Sequence, residues 1–198
     1  MQEDIIRQNY QATRSERETA NGHKAFTIWL TGFSGAGKST IANATEQILI
    51  KSSVQAFVLD GDNVRLGLNS DLDFSRKGRK ENIRRVSEVA RLFNDAGMVV
   101  ITAFISPYRS DRDLARTVIG VDRFIEVFID ASLQCCMSRD VKGLYEKAQQ
   151  GLIPNFTGVS DAYEVPETPD IRLHTDVESI QESVDRLILL LKKRKLIP

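Results

Sequence analysis

Short apolar runs alternate along most of the chain with segments whose apolar residues recur at helical spacing. Apolar runs of about four to eight residues predict buried strands, whereas a stripe at i, i+3 and i+4 predicts a helix. We therefore predict strands at residues 26–31, 55–59, 98–105 and 124–130. We predict helices at residues 38–51, 80–96, 111–119 and 132–150, the last of them broken near residues 142–143.

The two ends of the chain differ from this alternating middle. Residues 1–24 are polar and predict a short helix or an N-terminal arm. Near the other end, an apolar stripe at helical spacing predicts a last helix that packs on the core. Thr175 and Glu178 have capping-box spacing, so we place the start of that helix there. No repeat or linker divides residues 25–198, which we predict to be one domain.

Alternation of strands and helices predicts one mostly parallel sheet covered by helices on both faces, a three-layer α/β/α fold. In such sheets ligands bind beyond the carboxyl ends of the strands. Three polar segments directly follow predicted strands, at residues 32–40, 60–63 and 106–109. We therefore expect these segments to converge on one cleft.

Composition narrows the possible partners and compartments. Apolar residues make up 41% of the chain, and 27 basic residues balance 27 acidic ones, so neither a nucleic-acid nor a membrane partner is expected. No apolar run approaches the roughly 20 residues that a membrane span needs. The two cysteines, Cys135 and Cys136, are adjacent, which argues against a disulfide framework and against a Cys-based zinc site. This cysteine usage fits a reducing compartment, and we expect a cytoplasmic protein.

The segment after the first strand carries the strongest chemical signal. It reads GFSGAGKS at residues 32–39 and matches the phosphate-binding pattern G-x-x-x-x-G-K-[ST] between a strand and a helix. Glycines let successive N–H groups point at an anion, the lysine reaches the outer phosphates, and the serine hydroxyl binds Mg²⁺. The residues assigned to ATP are Gly32, Phe33, Ser34, Gly35, Ala36, Gly37, Lys38, Ser39 and Thr40.

A phosphate loop indicates nucleotide binding but leaves the reaction open, since kinases, GTPases and motors share it. The Asn-Lys-x-Asp segment typical of GTPases does not occur, and the chain is short for a motor. A small-molecule kinase is therefore favoured. A catalytically idle nucleotide-binding protein and a kinase for a nucleoside, a sugar acid or a polynucleotide end remain as alternatives.

Two carboxylates and a basic helix follow the second strand. Asp60 and Asp62 flank a glycine, where one can orient or deprotonate an attacking hydroxyl and either can hold Mg²⁺. Arg79 and Asn82 are three residues apart and share a helix face that suits phosphate or sulfate, with Phe74 placed to stack on a base. Further along, residues 139–165 contain two lysines and three glycines, as expected of a lid that excludes water.

These segments together resemble the adenylylsulfate kinase (APS kinase) family over about residues 10–190. The resemblance implies a P-loop kinase fold with a lid. It rests on NGHK at 21–24, GFSGAGKST at 32–40, LDGDNVR at 59–65, ENIRR at 81–85, FISPYR at 104–109, KGLY at 142–145, NFTG at 155–158, Tyr163, Glu164 and Pro166.

The resemblance implies the reaction ATP + adenosine 5′-phosphosulfate (APS) → ADP + 3′-phosphoadenosine 5′-phosphosulfate (PAPS). It also implies Mg²⁺ held by Ser39 and Asp60, a homodimer, a place in sulfate assimilation and a functional link to ATP sulfurylase. Arg139 is implied to lie near the adenine of ATP, and Phe74 and Phe156 to sandwich the adenine of APS. The residues implied to bind APS are Arg65, Phe74, Arg79, Asn82, Ile105, Ser106, Lys142 and Phe156. The implied catalytic residues are Lys38, Asp60, Asp62 and Ser106.

Ser106 matches the serine that the family associates with a phosphoserine intermediate. Direct in-line attack by the 3′-hydroxyl needs only one displacement, so our hypothesis is that Ser106 positions the substrate. The sequence departs from the family pattern at Leu66, where histidine is common, and at Val141, where proline is usual. It departs also at Gly78, which replaces an aspartate and predicts a weaker helix start and weaker substrate binding.

Overall fold

The computed structural model describes residues 6, 8, 10–140 and 142–198. The strands are β1 (Thr27–Thr31), β2 (Ala56–Asp60), β3 (Val99–Ala103), β4 (Phe124–Asp130) and β5 (Ile171–His174). The helices are α1 (Arg14–Asn21), α2 (Lys38–Lys51), α3 (Gly61–Leu66), α4 (Arg76–Asp95), α5 (Arg109–Ile119), α6 (Leu133–Arg139), α7 (Leu144–Gln149) and α8 (Ile180–Lys193). A short 3-10 turn, Val121–Arg123, precedes β4.

The five strands form one parallel sheet in the order β2-β3-β1-β4-β5, which confirms the predicted parallel α/β fold. Strand β1 lies in the centre and pairs with β3 on one side and β4 on the other. Its side chains alternate between the two faces of the sheet because strand geometry has a period of two. Ile28 and Leu30 enter one core, and Trp29 enters the other.

Helices cover both faces of the sheet and complete the three layers. On one face, α2 and α8 supply buried side chains such as Leu49 and Leu187. On the other face, α4 and α5 supply Val86, Ala90 and Ile119 around Trp29. All of these side chains are inaccessible to solvent, so both cores are closed.

Helix α1 lies in the polar N-terminal stretch and packs at the amino end of the sheet. Thr13 and Glu16 form a capping box at its start. The buried carboxylate of Glu18 accepts hydrogen bonds from the Ala25 amide at 3.1 Å and from Lys24 Nζ at 3.1 Å. Asn21 Nδ2 donates to Gly97 O at 2.9 Å, just before β3. These contacts lie at the opposite end of the strands from residues 32–40.

The predicted capping box at Thr175 and Glu178 is wrong. Helix α8 begins one turn later, with Ser179 as its N-cap and Glu182 completing the box. Thr175 Oγ1 instead donates to Ala36 O at 2.7 Å, and Glu178 accepts a hydrogen bond from Ser183 Oγ. Thr175 therefore makes a tertiary hydrogen bond instead of the helix cap that the local spacing predicted.

Three further differences have local causes. Helix α4 begins at Arg76 rather than at residue 80, because Ser75 Oγ accepts a hydrogen bond from the Gly78 amide and caps it. Helix α3, which was not predicted, is capped in the same way by the Asp60 side chain. The edge strand β5 was also missed, since its four residues include Arg172 and His174 and show no apolar run. Among the described helices, none combines the length and apolar character that crossing a bilayer requires.

Candidate active site

The three polar segments predicted to converge do so at the carboxyl ends of β1, β2 and β3. Residues 32–37 join β1 to α2, Asp60 ends β2, and residues 104–108 join β3 to α5. The register pairs Leu30 with Ala103 and Asp60 with Ala103 on neighbouring strands, so the strand ends lie side by side. The structure thus brings the three segments to one edge of the sheet.

The phosphate loop is curled around the ammonium group of Lys38. Lys38 Nζ donates to Gly32 O at 3.0 Å and to Phe33 O at 2.7 Å. Burial of this ammonium lowers the pKa of Lys38 to about 8, against the opposing effect of nearby Asp60 and Asp62. Gly32 is required at its position because a Cβ there would lie 2.4 Å from Ile129 O. Two loop carbonyls therefore satisfy the lysine.

Side chains from three distant elements hold the outer side of this loop. Tyr145 Oη donates to Ser34 O at 2.9 Å, and Thr175 Oγ1 holds Ala36 O. Arg139 donates to Thr175 O at 2.6 Å and to Gly35 O at 3.5 Å. Arg139, predicted to lie near the adenine of ATP, is therefore adjacent to the phosphate loop.

Ser39, Asp60 and Asp62 lie together beyond Lys38. Ser39 Oγ donates to Asp60 Oδ2 at 2.7 Å, and the Asp62 amide donates to Asp60 Oδ1 at 2.9 Å. The carboxylate of Asp62 is exposed and forms an ion pair with Lys142, at the start of the predicted lid. Both oxygens of Asp60 are therefore engaged, whereas the Asp62 carboxylate faces solvent and the lid.

The donor set of Ser39 and Asp60 fits Mg²⁺. Both atoms are hard oxygen ligands, and Mg²⁺ in phosphoryl-transfer sites takes one or two protein ligands with water and phosphate oxygens. Within residues 10–140 and 142–198, no cluster of three or more His, Cys, Asp or Glu side chains is arranged as a cage for a metal. A site of this open kind needs the nucleotide to complete it.

An exposed aromatic ring lies beside Arg65, in the loop between α3 and α4. Phe74 is 63% exposed, and the guanidinium of Arg65 lies over its ring at 4.3 Å. Arg65 Nη1 also donates to Leu72 O at 3.0 Å, which fixes the arginine beside the loop that carries Phe74. A ring with one face held and the rest open can stack on a base.

Arg79 connects this aromatic loop to the segment that follows α7. Its Nε donates to Phe74 O at 2.9 Å, and its Nη1 donates to Thr157 Oγ1 at 2.9 Å. Its Nη2 donates to Asn155 O, and Asp161 lies 3.4 Å from Nη1. Phe74 and the residues on both sides of Phe156 are thus tied to a single guanidinium.

Three of the residues predicted to bind substrate are buried: Asn82, Phe156 and Ser106. Phe156 is 8% exposed and packs edge-on against Tyr145, with ring centroids 5.0 Å apart. Asn82 is also buried, and its Oδ1 accepts a hydrogen bond from Asn69 Nδ2 at 2.9 Å. The side chains of Phe156 and Asn82 therefore have structural partners in the absence of a substrate.

Ser106 lies at the base of the cleft in a strained conformation. It is buried and has a φ of +39°, which a residue other than glycine seldom adopts. Trp29 Nε1 donates to its Oγ at 3.1 Å, and Arg112 Nη1 donates to its carbonyl at 2.7 Å. Thr31 Oγ1 donates to the carbonyl of the preceding Ile105 at 2.7 Å.

The sequence reasoning did not identify Trp29, Thr31 or Arg112 as part of this region. Polar atoms within a buried strand were the available signal, because an indole N–H or a hydroxyl there needs a partner. Thr31 also shares a hydrogen bond of 2.9 Å with Tyr163 Oη, and the Phe33 and Tyr163 rings lie 4.8 Å apart. The phosphate loop, the Ser106 turn and the end of the predicted lid are thereby connected.

The departures from the family pattern have different surroundings. Leu66 ends α3 and is highly exposed. Gly78 has no room for a side chain, because a Cβ would lie 2.2 Å from Asp73 Oδ1 and 2.5 Å from Asp73 O. The Asp73 carboxylate accepts hydrogen bonds from the Ser75 amide and hydroxyl, so an acidic group still stands at this helix start. Val141 lies outside the described residues.

Comparisons with known proteins agree over nearly the whole chain. The sequence profile described as "Adenylylsulphate kinase" matches residues 24–174. A protein of Marinobacter nauticus named "Adenylyl-sulfate kinase" is 52% identical over 194 residues, which cover 98% of each chain.

Solved structures show the same similarity in three dimensions. An APS kinase of Mycobacterium tuberculosis in complex with AMPPNP and APS is 47% identical with a TM-score of 0.82, covering 86% of this chain and 99% of that one. A hexameric APS kinase from Thiobacillus denitrificans is 31% identical with a TM-score of 0.69, covering 92% of this chain and 31% of that one.

Proposed function

The chain belongs to the adenylylsulphate kinase family, and on that premise we propose that it transfers the γ-phosphoryl group of ATP to the 3′-hydroxyl of APS. The products are PAPS and ADP. The strongest support is that two groups of residues flank Asp60 and Asp62. One group is the phosphate loop, and the other consists of Arg65, Phe74 and Arg79. One side of the cleft suits a triphosphate, and the other suits an adenine joined to an anion.

On the ATP side, backbone amides of residues 32–40 and the N-terminus of α2 bind the phosphates. The ammonium of Lys38 exchanges its two loop carbonyls for phosphate oxygens and neutralises charge there. Arg139, adjacent to Gly35, borders the nucleotide. When bound, Mg²⁺ held by Ser39 and Asp60 neutralises charge on the phosphates.

On the APS side, Phe74 stacks on the adenine, and Phe156 supplies the second ring once the segment of residues 139–165 closes as a lid. Arg65 and Arg79 provide guanidinium groups suited to the phosphosulfate. The remaining residues proposed to border APS are Asn82, Ile105, Ser106 and Lys142. We place all of these in one kinase domain, residues 25–198, preceded by the arm of residues 1–24.

Asp62 is the residue proposed to receive the proton of the 3′-hydroxyl. Among the described residues, its carboxylate contacts only Lys142 of the proposed lid. Both oxygens of Asp60, in contrast, accept hydrogen bonds from Ser39 Oγ and from the Asp62 amide. The 3′-oxygen forms its bond to the γ-phosphorus as the bond to the β–γ bridging oxygen breaks, and ADP leaves. Attack in line needs no enzyme-bound phosphate.

Ser106 is proposed to position APS rather than to carry a phosphoryl group. Its hydroxyl is buried and occupied by the indole N–H of Trp29. Rapid-quench trapping with γ-labelled ATP tests this assignment. A phosphoserine that forms and decays within one turnover would contradict it.

A homodimer in the cytoplasm, linked functionally to an ATP sulfurylase that supplies APS, completes the proposal. The two free cysteines are compatible with a reducing compartment. Light scattering coupled to gel filtration should give twice the mass of the single chain. A sixfold mass would instead match the assembly of the Thiobacillus relative.

The proposed activity is tested by coupled ADP release with APS present or omitted. ADP release that requires APS supports the proposal, and release with a nucleoside, a sugar acid or a polynucleotide end would favour another kinase. No turnover with any acceptor would identify a catalytically idle protein. Asp62→Asn tests the proposed proton acceptor. This variant should bind ATP and APS while losing most turnover.

A further inference from the structure

Arg112, on α5, is a buried guanidinium whose nitrogens are all used. It is 2% exposed. Its Nε donates to Glu126 Oε1 at 2.8 Å, its Nη1 to Ser106 O at 2.7 Å and its Nη2 to Glu164 O at 2.7 Å. The planar fork of arginine can satisfy three partners in fixed directions, which a lysine ammonium cannot reproduce.

The partners of Arg112 come from three separate parts of the fold. Glu126 lies in β4 and balances the charge. Ser106 lies in the turn after β3, and Glu164 lies at the end of the predicted lid. The guanidinium also faces the ring of Tyr163 at 5.9 Å. A single side chain therefore joins the base of the cleft to the segment that closes it.

Ser106 needs such support because its backbone is in the left-handed region. A strained conformation of this kind persists only where the surroundings over-determine it. Arg112 holds the Ser106 carbonyl, Trp29 holds its hydroxyl, and Thr31 holds the carbonyl of Ile105. Without Arg112, the Ser106 carbonyl keeps only the longer hydrogen bond of 3.4 Å from Thr31 Oγ1, which should let the turn relax and displace Ser106.

We infer that Arg112 is a positioning residue for the proposed reaction, which holds Ser106 and the Tyr163–Glu164 end of the lid in the arrangement that APS requires. The inference rests on the proposed function. Arg112 does not touch the phosphate loop in any of these contacts, so its effect should fall on APS and spare ATP.

Arg112→Lys is the test variant, and Arg116→Lys is its matched control. Arg116 lies one turn further along α5 and also contacts Glu126, but its other partners are Asp170 and the ring of Phe124, not Ser106 or Glu164. We expect Arg112→Lys to raise the KM for APS roughly ten- to a hundred-fold, with the Kd for ATP unchanged. Arg116→Lys should leave both constants close to their wild-type values.

Trp29 provides a second readout, because it is the single tryptophan of the chain and its indole donates to Ser106. Its emission maximum should shift more in Arg112→Lys than in Arg116→Lys, because Arg116 reaches Trp29 only through the Phe124 ring and makes no contact with Ser106. This measurement needs no substrate. A wild-type protein without APS-dependent turnover would contradict the proposed function, while the emission spectra would still decide whether Arg112 positions Ser106.

A lower melting temperature with unchanged APS KM and unchanged Trp29 emission would overturn the inference and leave Arg112 a purely structural residue. If Arg112→Lys does not fold, the double variant Arg112→Met with Glu126→Leu replaces the ion pair by apolar side chains, which folded proteins often tolerate. The KM for APS and the Trp29 emission maximum of this double variant then test the inference, and we expect a raised KM and a shifted emission maximum.

Discussion

The ammonium of Lys38 is held by two loop carbonyls, which the phosphates of ATP would replace. Burial lowers its pKa to about 8, whereas phosphate oxygens favour the charged ammonium and raise the pKa. The free protein therefore loses this proton as the pH rises through about 8, and ATP binding above that pH must restore it.

We expect ATP affinity to fall as the pH rises above about 8, with proton uptake on binding in that range. Calorimetry in two buffers of different ionisation enthalpy measures the uptake. Lys38→Ala should abolish the uptake and nearly all turnover while retaining the fold. Equal heats in both buffers with the wild-type protein would contradict the lowered pKa.

Substitutions of Phe74 and Phe156 should distinguish a residue that only binds substrate from one that also stabilises the fold. Phe74→Ala should weaken APS binding by roughly 1–3 kcal/mol, the contribution of stacking on a base, with little change in Tm. Phe156→Ala should lower the stability as well, by about 3–5 kcal/mol, because Phe156 belongs to a closed core.

Calorimetric APS titration and thermal melting of both variants measure these two effects. The exposed ring serves as the control for the buried one. An unchanged APS Kd in Phe74→Ala would remove this ring from the substrate site.

At the scale of the element, the start of α4 shows where local rules fail. Helix propensity alone predicts that Gly78→Ala stabilises the helix by up to ~1 kcal/mol. The added Cβ would instead meet Asp73 O at 2.5 Å, and a backbone atom cannot move aside freely. We expect a loss of about 1–3 kcal/mol, as for other overpacked sites.

Thermal or urea unfolding of Gly78→Ala decides the sign. Gly67→Ala is the control, since nothing lies within 4 Å of a Cβ added there. A Tm of Gly78→Ala above wild type would show that the Asp73 loop adapts.

Much of the fold could be predicted from the sequence, and the failures have physical causes. Helix α2 and strand β4 have the predicted bounds because continuous patterns mark them. Strand β5 carries no such pattern, and α8 starts later than predicted because Thr175 is used by the phosphate loop. The motif segments of the site were predictable, whereas the contacts of Arg112 and Trp29 arise only from tertiary packing.

At the scale of the whole molecule, Arg79 links the Phe74 loop to the segment that follows α7, and we propose that both contact the substrate. Its guanidinium joins α4 and the Phe74 loop to residues Asn155–Asp161, where Asp161 also accepts a hydrogen bond from Tyr108 Oη at 2.6 Å. We expect Arg79→Ala to increase amide hydrogen exchange in residues 155–161, because fewer contacts then hold this segment against α4 and the Phe74 loop.

Hydrogen-exchange mass spectrometry without ligand measures this directly. Arg85→Ala is the control, since Arg85 lies on the same helix but pairs with Asp71 and Glu81. Exchange rates that rise equally in both variants would point to a general loosening of α4. Unchanged rates in Arg79→Ala would show that the segment is held without it.

The central position of β1 has a consequence during biosynthesis. This strand is translated before its neighbours, yet its two pairing partners begin only at Val99 and Phe124. Pairing over such sequence separations is slow, and an unpaired apolar strand is prone to association. Until β4 has left the ribosome, β1 therefore lacks one of its two neighbouring strands. During that interval its apolar side chains are accessible to a chaperone.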